Sequence, residues 1–310
     1  MSCSVCSSTD VQPIFDKSLE ASEWILGGVK YGYVRCSSCQ LIQCDPTPDQ
    51  AALMEFYQAS YAYDWFDRNA FYKRWQARHR VSRIAYLFAD GMKCLDFGCG
   101  HGFFVEAMNR RGVDTYGFDI GVSKIQKDPS ERTAYRATFG EYDRTGFDMI
   151  TAWHVLEHMR KPAETIKALN ERLKEGGRLV LAVPNGASLG IRLFGQKWGW
   201  VQQPYVHISL FGPKNLPLLL ENHGFVVERV HTREAWDQNL YDLLITALFY
   251  RHRSRNAVRT FNPSLRGTVI FRLNQLVRLA FTPLSYLYAA LRGQRGDGSE
   301  LVVIARKRNS

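Results

Sequence analysis

Short apolar runs, separated by longer amphipathic stretches, dominate the middle of this chain and return close to its carboxyl end. Runs of this length that end at glycine, proline or acidic residues are typical of strands buried in a parallel sheet. The predicted strands are residues 94–97, 113–120, 147–152, a run within 173–185, 225–231 and 301–306. Because strands alternate with helix-like stretches, the pattern predicts an α/β fold with a doubly wound, mostly parallel sheet.

The first of these strands ends in a turn with glycines at alternate positions, Gly98, Gly100 and Gly102, and a helix-like run begins at Phe103. A strand, a glycine turn and a helix start bring a ligand against bare backbone. The spacing is G-x-G-x-G, whereas dinucleotide-binding proteins have G-x-G-x-x-G. Asp96 adds a carboxylate beside the turn, which would repel a pyrophosphate but attract a cation. The turn therefore indicates a nucleoside with a cationic group, and a nicotinamide-dependent enzyme fits it less well.

The segment LDFGCGHG resembles the first motif of class I S-adenosylmethionine-dependent methyltransferases, and later landmarks follow in that family's order. Asp119, 21 positions after Gly98, ends the second strand, and Leu173–Asn185 is similar to the family's helix end and fifth strand. The resemblance covers residues 90–232 and the last strand. It implies a Rossmann-like, seven-stranded sheet, with a helical insertion before the last strand in this chain.

The resemblance also implies S-adenosylmethionine as methyl donor and assigns its contacts residue by residue. An acid at Asp119 takes the ribose hydroxyls, while Trp153 and His154 line the methionine end. After the third strand the register leaves open whether Phe139 covers the adenine or only packs in the core. The predicted cofactor-binding residues are Asp96, Gly98, Cys99, Gly100, Gly102, Asp119, Ile120, Phe139, Trp153 and His154.

Three histidines are the candidate catalytic residues. Methyl transfer depends chiefly on alignment of the acceptor atom, but an alcohol or phenol must also lose a proton, for which histidine is suited. His154 and His158 follow the fourth strand and His207 follows the fifth, on the acceptor side of the resembled family. Each also has a structural interpretation as a cap, a packing residue or a loop anchor. His154 and His158 have a spacing that would suit a metal ion, but no further ligand has a diagnostic spacing.

Two CxxC pairs near the amino terminus, Cys3–Cys6 and Cys36–Cys39, are separated by 29 residues. Zinc takes four thiolates in a tetrahedron, and a two-residue gap lets one tight turn supply two of them. We therefore expect a zinc-ribbon-like module in residues 1–48, the alternative being four reduced cysteines without metal. The odd total of seven cysteines argues against disulfides and for a reducing cytoplasm, as does the absence of a secretory signal pattern.

A ribbon before such a core resembles a bacterial group of methyltransferases that modify sugars and other small metabolites. Its sugar C-methyltransferases have a large extra domain after the core, for which this chain has too few residues. The methyltransferase core is expected in residues 91–232 and 297–310. Residues 49–90 form the predicted helical lid or linker, with helical periodicity over Arg68–Phe88. Its basic face is interpreted as solvated or as part of the lid: Lys73, Arg74, Arg78, Arg80 and Arg83.

The insertion at residues 233–296 has ten Arg, no Lys and three acids, so it carries +7 of the chain's +10 net charge. Apolar positions from Val269 to Leu291 form one helical stripe, which Arg272 and Arg278 interrupt, so a membrane span is not expected. The pattern favours interfacial helices on an anionic membrane surface. Packing on the core and a dimer interface are the alternatives, and nucleic-acid binding is the least supported.

Together these patterns predict O-methylation of a small-molecule, sugar, glycan or lipid-linked acceptor, in the cytoplasm or peripherally on the inner membrane face. A phenolic or quinone precursor is the alternative acceptor. A scaffold that binds the cofactor without catalysis is the alternative from another functional class. The patterns do not specify an oligomeric state.

Overall fold

The computed structural model describes residues 1–15, 25–53, 70–120, 132–135, 138–201, 204–233 and 296–309, with isolated positions at 244, 276–277, 279–281, 283–284 and 287. The strands are β1 (Val11–Pro13), β2 (Ile25–Leu26), β3 (Val29–Lys30), β4 (Gly32–Cys36), β5 (Ile42–Asp45), β6 (Lys93–Phe97), β7 (Asp114–Asp119), β8 (Thr133–Tyr135), β9 (Phe147–Trp153), β10 (Leu173–Pro184), β11 (Ser209–Leu210), β12 (Phe225–Arg233) and β13 (Glu300–Lys307). The helices are α1 (Ala70–Ile84), α2 (Phe103–Asn109), α3 (Pro162–Arg172), α4 (Leu189–Phe194) and α5 (Asn215–Glu221).

A seven-stranded sheet has the order β12-β13-β10-β9-β6-β7-β8. Four of its pairings, β10 with β9, β9 with β6, β6 with β7 and β7 with β8, are parallel. The fold class predicted from the sequence is therefore confirmed. From β6 the chain builds the sheet first to one side through β7 and β8 and then to the other through β9 and β10. Ligands of doubly wound sheets bind at such a switch point, outside the carboxyl ends of the strands.

The apolar runs became strands because their side chains are buried on both faces of the sheet. Leu179–Val183 of β10 is fully buried, as are Met149 and Ile150 of β9. Helix α3 begins with Pro162 in its first turn, where the missing N–H costs nothing, and buries Ile166 and Leu169 one turn apart. Burial of this kind, rather than helix propensity, supplies most of the stability of short helices.

A second, four-stranded sheet of order β1-β4-β5-β11 lies in the cysteine-containing region. Its three pairings, β1–β4, β4–β5 and β5–β11, are antiparallel. Strand β11 comes from a segment more than 160 residues later in the chain, and Ser209 pairs with Gln43 and Leu210 with Ile42. The sheet buries Tyr33 and Leu41. The cysteine region thus folds together with a later part of the chain.

The chain divides into two compact units. The first consists of Met1–Pro48, Val183–Leu216 and Val230–Val302, and the second of Asp49–Ala182, Pro217–Arg229 and Val303–Ser310.

Helix α1 ends at Ile84, before the end of the predicted periodicity at Phe88, and the aromatic residue in its first turn is exposed. Ala77, Val81 and Ile84 are buried, whereas Phe71 is 86% exposed. At 100° per residue Phe71 lies about 80–140° around the helix from these three positions. Because buried residues define the packed face, the aromatic residue of the first turn falls outside it.

Most of the insertion at residues 233–296 lies outside the described residues, and only some positions of the stripe from Val269 to Leu291 are described. At the described positions Leu276, Leu284 and Leu287 are helical and 52–62% exposed. No helix among the described residues has the length and apolar character that a membrane span requires.

Candidate active site

The turn between β6 and α2 has three glycines, and glycine is required at each position for a different physical reason. All three adopt positive φ values, +76° at Gly98, +53° at Gly100 and +72° at Gly102. A Cβ on Gly98 would lie 2.9 Å from Val155 Cγ1 and closer still to its Cγ2, and one on Gly102 would lie 3.1 Å from Thr133 Cγ2. A Cβ on Gly100 would meet no atom within 4 Å among the residues that the structure describes. Of these three glycines, therefore, only Gly100 has bare backbone facing open space into which a ligand can come.

Hydrogen bonds hold the turn against the end of β7. The backbone N–H groups of Gly98 and Cys99 donate to the Phe118 carbonyl at 2.7 and 3.0 Å. The N–H of Gly100 donates to Asp119 Oδ2 at 2.7 Å. Burial raises the pKa of Asp119, against hydrogen bonds from Gly100 and Ile120 that lower it. The predicted acid thus lies directly beside the open glycine.

The Cys99 side chain points away from this open space. Its Sγ would lie 2.7 Å from a Cβ on Gly117, and Val105 Cγ2 would lie at 2.9 Å. Gly117 therefore allows the turn to pack on β7, a role that the sequence analysis did not assign. A glycine inside a predicted strand signals such a close approach, so Tyr116-Gly117-Phe118 offered the clue.

Asp96 is an internal residue of β6 and is almost completely buried. Its Oδ1 accepts a hydrogen bond of 2.7 Å from the Thr151 hydroxyl on the paired strand β9. Burial raises the pKa of Asp96 to about 7, although Thr151 and the Arg80 guanidinium lower it and Asp119 raises it further. This carboxyl group can therefore gain or lose its proton near neutral pH.

Proton release on cofactor binding is the first testable consequence. A cationic ligand near Asp96 favours the carboxylate, so binding of S-adenosylmethionine at pH 7 should release a fraction of a proton. Isothermal titration calorimetry in buffers with different ionisation enthalpies measures this number. Asp96→Asn should reduce it to near zero. Equal proton release by both proteins would show that Asp96 does not sense the ligand.

The same group predicts a pH dependence of stability without ligand. The folded-state pKa of Asp96 is raised from 3.8 to about 7, so the folded protein binds more protons than the unfolded chain between these values. The free energy of unfolding should therefore fall as the pH rises through that window. The free energy of unfolding, measured with urea at several pH values, should depend less strongly on pH in Asp96→Asn than in the wild type.

Trp153 is the last residue of β9, and the candidate catalytic residue His154 follows it directly. The Trp153 ring packs against Phe104, with centroids 5.4 Å apart, and the Arg80 guanidinium lies over it at 5.1 Å. His154 has φ +58°, a strained conformation for a residue other than glycine. Strain of this kind is concentrated at functional sites.

A fully buried carboxylate, Glu157, lies against two imidazoles. Its Oε1 is 3.3 Å from His154 Nδ1 and 3.8 Å from His158 Nε2. A carboxylate favours a proton on the nearer nitrogen, which for His154 leaves Nε2 as an acceptor. The structure thus brings His154 and His158 together around one acid.

Helix α1 supplies two cations to this part of the second unit. Besides Arg80 over Trp153, Arg74 lies over the Phe103 ring at 5.0 Å and pairs with Glu106 at 3.6 Å. The sequence pattern could not separate these arginines from a solvated basic face, because the aromatic partners are far away in the chain.

Phe139 belongs to an aromatic cluster beyond β8. Its ring lies 4.7 Å from Phe97 and 4.8 Å from Phe118, and the Arg172 guanidinium lies 4.1 Å from its centroid. Arg172 also donates to the Phe139 carbonyl at 2.9 Å. Glu141 is exposed and accepts from the Thr138 hydroxyl. Phe139 is therefore held near the carboxyl ends of β6 and β7.

In the first unit, His207 is held at both its ring and its backbone. Its Nδ1 lies 2.8 Å from the Trp200 carbonyl oxygen. Since a carbonyl can only accept, Nδ1 carries the proton and Nε2 presents a lone pair. The His207 carbonyl accepts a 2.9 Å hydrogen bond from the Tyr33 hydroxyl, and burial raises the Tyr33 pKa well above its usual value, so this donor stays protonated. Sequence reasoning did not identify Tyr33, whose role depends on long-range pairing.

The four predicted zinc ligands form one cluster, in which all sulfurs lie within 4.8 Å of one another. The Cys3–Cys39 and Cys6–Cys36 sulfur distances are both 3.5 Å. Tetrahedral zinc with Zn–S bonds of about 2.3 Å requires sulfurs about 3.8 Å apart. Burial raises the pKa of Cys36, but hydrogen bonds from the Cys39 N–H and the Cys6 thiol outweigh it and lower the pKa to about 7. The spacing of the four sulfurs therefore fits zinc.

A family model described as a methyltransferase domain matches residues 66–230, slightly more than half of the chain. The ubiquinone biosynthesis O-methyltransferase of Pseudomonas aeruginosa (strain UCBPP-PA14) is 30% identical over 153 residues, a match that covers 44% of this chain and 64% of the relative. The enzyme of the same name from Acinetobacter baumannii (strain AYE) is 28% identical over 139 residues, 39% of this chain and 57% of the relative. The chain thus spans less than two thirds of these relatives.

Among solved structures, the complex of the Haloferax volcanii Trm112 methyltransferase activator with a methyltransferase contains a similar chain. It has a TM-score of 0.51 and 13% identity, and the match covers 81% of this chain and 98% of that chain. At this identity the likeness concerns the fold alone.

Proposed function

The chain belongs to the methyltransferase family, and we propose that it transfers a methyl group from S-adenosylmethionine to an oxygen of a small acceptor, a sugar, glycan or lipid-linked molecule. The observation that carries this proposal is the open backbone at Gly100, with Asp119 hydrogen-bonded to its N–H. When bound, the cofactor supplies a methyl group on a sulfonium.

Within this proposal five of the predicted cofactor residues contact the ligand directly. Gly100 lets the ligand approach the backbone, and Asp119 accepts from the ribose hydroxyls. Phe139 flanks the adenine, while Trp153 and His154 line the methionine end.

Other predicted cofactor residues act indirectly in this proposal. The positions of Gly98, Gly102 and the Cys99 side chain are set by contacts with other protein atoms. A backbone hydrogen bond from Ile120 favours the ionised form of the neighbouring Asp119. These residues therefore fix the turn and the charge of the acid that the ligand meets.

The proposal also requires a base. We assign this role to His207, because its tautomer presents Nε2 as a proton acceptor. His154, with its Nδ1 against Glu157, is the second candidate. In either case the chain takes up the acceptor proton on an imidazole nitrogen, which is a favourable base near neutral pH.

The domain division follows from the same assignment. We propose a zinc-ribbon-like module at residues 1–48, a helical lid at 49–90, a core at 91–232 and 297–310, and a basic insertion at 233–296. The contacts of Arg74 with Phe103 and of Arg80 with Trp153 support a lid role for α1.

Transfer of labelled methyl groups tests the function. The purified protein is incubated with labelled S-adenosylmethionine and with lipid extracts or nucleotide-sugar fractions, and incorporation is followed by chromatography and mass spectrometry. We expect label in one fraction and none with the Gly100→Val variant. Label absent from every fraction would contradict the acceptor class.

A quinone precursor is the second candidate acceptor, favoured by the two O-methyltransferase relatives named for ubiquinone biosynthesis. A hydroxylated quinone precursor in the same assay distinguishes it. Methylation of this compound, with no label in sugar fractions, would replace the first proposal by the second.

Zinc binding is a separate prediction. The purified protein should contain one zinc per chain, and Cys36→Ser with Cys39→Ser should remove it, because two thiolates cannot complete a tetrahedral structural site. Elemental analysis by mass spectrometry measures the metal. Cys44→Ser is the matched control, since this buried thiol donates to the Pro46 carbonyl and lies outside the cluster. Equal zinc in the double variant and the wild type would exclude these ligands.

We further propose that the insertion attaches the enzyme to an anionic membrane surface. Support comes from its net charge of +7 and from Leu276 and Leu287, which are 62% and 58% exposed. Each arginine near such a surface contributes about 1 kcal/mol, and this attraction is weakened by salt.

The wild type should therefore sediment with vesicles containing anionic lipid and much less with neutral vesicles. Leu276→Asp with Leu287→Asp should lose the salt-resistant part of binding and remain folded. Wild-type protein that stays in the supernatant with both lipids would contradict the proposal. Dissociation of the double variant on a sizing column would instead indicate a dimer interface.

A further inference from the structure

The first unit contains a cavity of about 590 Å³ that no part of the proposed methyl transfer uses. Its size lies within the range of small-molecule sites. It is lined by side chains of the cysteine region and of later segments, chiefly Arg35, Gln40, Arg192, Lys214, His231 and Thr232. All of these residues belong to the same compact unit.

Hydrogen bonds from buried amides fix the walls of this cavity. Asn215 is buried, accepts from the Gly212 N–H at 2.9 Å and donates to the Cys39 carbonyl at 3.2 Å. Asn185 is also buried and donates to the Gly296 carbonyl at 2.9 Å and the Gly298 carbonyl at 2.7 Å. Walls held in this way are formed before a ligand arrives, which reduces the entropy lost on binding.

The charge of the lining has one sign. Arg35, Arg192 and Lys214 line the cavity, and no acidic residue is among the lining residues that the structure describes. Arg192 pairs with the carboxylate of Asp297, which holds its guanidinium in place. In the part of the chain that the structure describes, Arg35 and Lys214 form no ion pair. Two cations that no acid of the described residues neutralises favour an anionic ligand.

We propose that this cavity binds the phosphate or diphosphate group of a phosphate ester. Guanidinium and ammonium groups are the side chains that recognise phosphate, the first by paired hydrogen bonds and the second as a point charge. The choice of ligand class rests on the proposed function, since sugars and lipids that carry a phosphate are among the proposed acceptors. Anion binding itself is measurable without catalysis.

The test uses the full-length protein and isothermal titration calorimetry with inorganic pyrophosphate, a nucleoside diphosphate and a short polyprenyl diphosphate. We expect binding of pyrophosphate and a dissociation constant that rises about tenfold in Arg35→Gln and in Lys214→Gln, the loss of one charged hydrogen bond. Tighter binding of the nucleotide would indicate a nucleotide-sugar source, and tighter binding of the polyprenyl compound a lipid-linked source.

Lys30→Gln is the matched control, because Lys30 belongs to the same unit, is exposed and does not line the cavity. Absence of pyrophosphate binding to the wild type, or equal weakening by Lys30→Gln, would overturn the proposal. S-adenosylmethionine affinity is measured in the same samples. If the wild type binds S-adenosylmethionine but not pyrophosphate, only the assignment of the cavity is rejected. If the wild type does not bind S-adenosylmethionine, the proposed function is rejected.

Discussion

Gly100→Val is expected to abolish S-adenosylmethionine binding while the protein remains folded. A Cβ at this position would meet no atom of the described residues within 4 Å, so the added side chain would enter the space into which the ligand comes. The positive φ of +53° adds a backbone cost of about 1–2 kcal/mol for a residue with a side chain. That cost lowers stability slightly, but the loss of ligand space removes binding altogether.

Gly98→Ala should have the opposite outcome, because its Cβ would overlap the Val155 side chain, with even the farther Cγ1 at 2.9 Å. We expect a loss of stability of about 1–3 kcal/mol from overpacking, in addition to the backbone cost. Val155→Ala in the same chain should recover part of that loss. Thermal unfolding and calorimetric titration with S-adenosylmethionine distinguish the two glycines. Normal cofactor affinity in Gly100→Val would reject this location of the site.

His207→Ala should lower turnover by roughly 10²–10⁴ while cofactor affinity stays nearly unchanged. The imidazole is fixed by the Trp200 carbonyl at Nδ1, so its Nε2 is ready to accept a proton. With an acceptor hydroxyl as the group that loses the proton, the rate of wild-type methyl transfer should fall at acidic pH as the imidazole becomes protonated. The variant should lose this acid limb of the pH profile.

Two further variants test whether the loss of turnover arises from the His207 imidazole itself. Tyr33→Phe removes the hydrogen bond to the His207 carbonyl and should lower turnover modestly without removing the acid limb, as expected of a positioning residue. His223→Ala is the control, since its ring lies in the turn after α5 and is hydrogen-bonded to the Leu219 carbonyl of that helix. Full turnover in His207→Ala would exclude this base, and the same measurement on His154→Ala would then test the second candidate.

The sequence predicted the central sheet well because buried parallel strands must be continuously apolar. Strand β9 was predicted at residues 147–152 and is found at Phe147–Trp153. The last strand was predicted at 301–306 and is found at Glu300–Lys307. In contrast, the helical periodicity over Arg68–Phe88 did not indicate that Phe71 is exposed, because helical periodicity gives the spacing of apolar residues but not the direction from which a partner approaches.

The properties of the candidate site depend more strongly on residues that are distant in sequence than the strands of the central sheet do. Asp96 was expected to attract a cation, but its raised pKa follows from burial beside Thr151, 55 residues later. The cluster of four cysteines followed from their spacing alone. Tyr33 and the cavity of the first unit were not predictable, because β11 has two residues and its pairing with β5 is not visible in any local pattern.

That pairing has a consequence for how this protein can change by recombination. A recombination event could exchange residues 1–48 between relatives and leave the later segment in place. Strand β5, which contains Ile42, would then pair with a strand β11, which contains Leu210, from a different parent. A mismatched β11 would leave the backbone of β5 as an open edge, which is prone to pair with other chains. The two segments are therefore expected to be inherited and exchanged as one unit, although more than 160 residues lie between them in the chain.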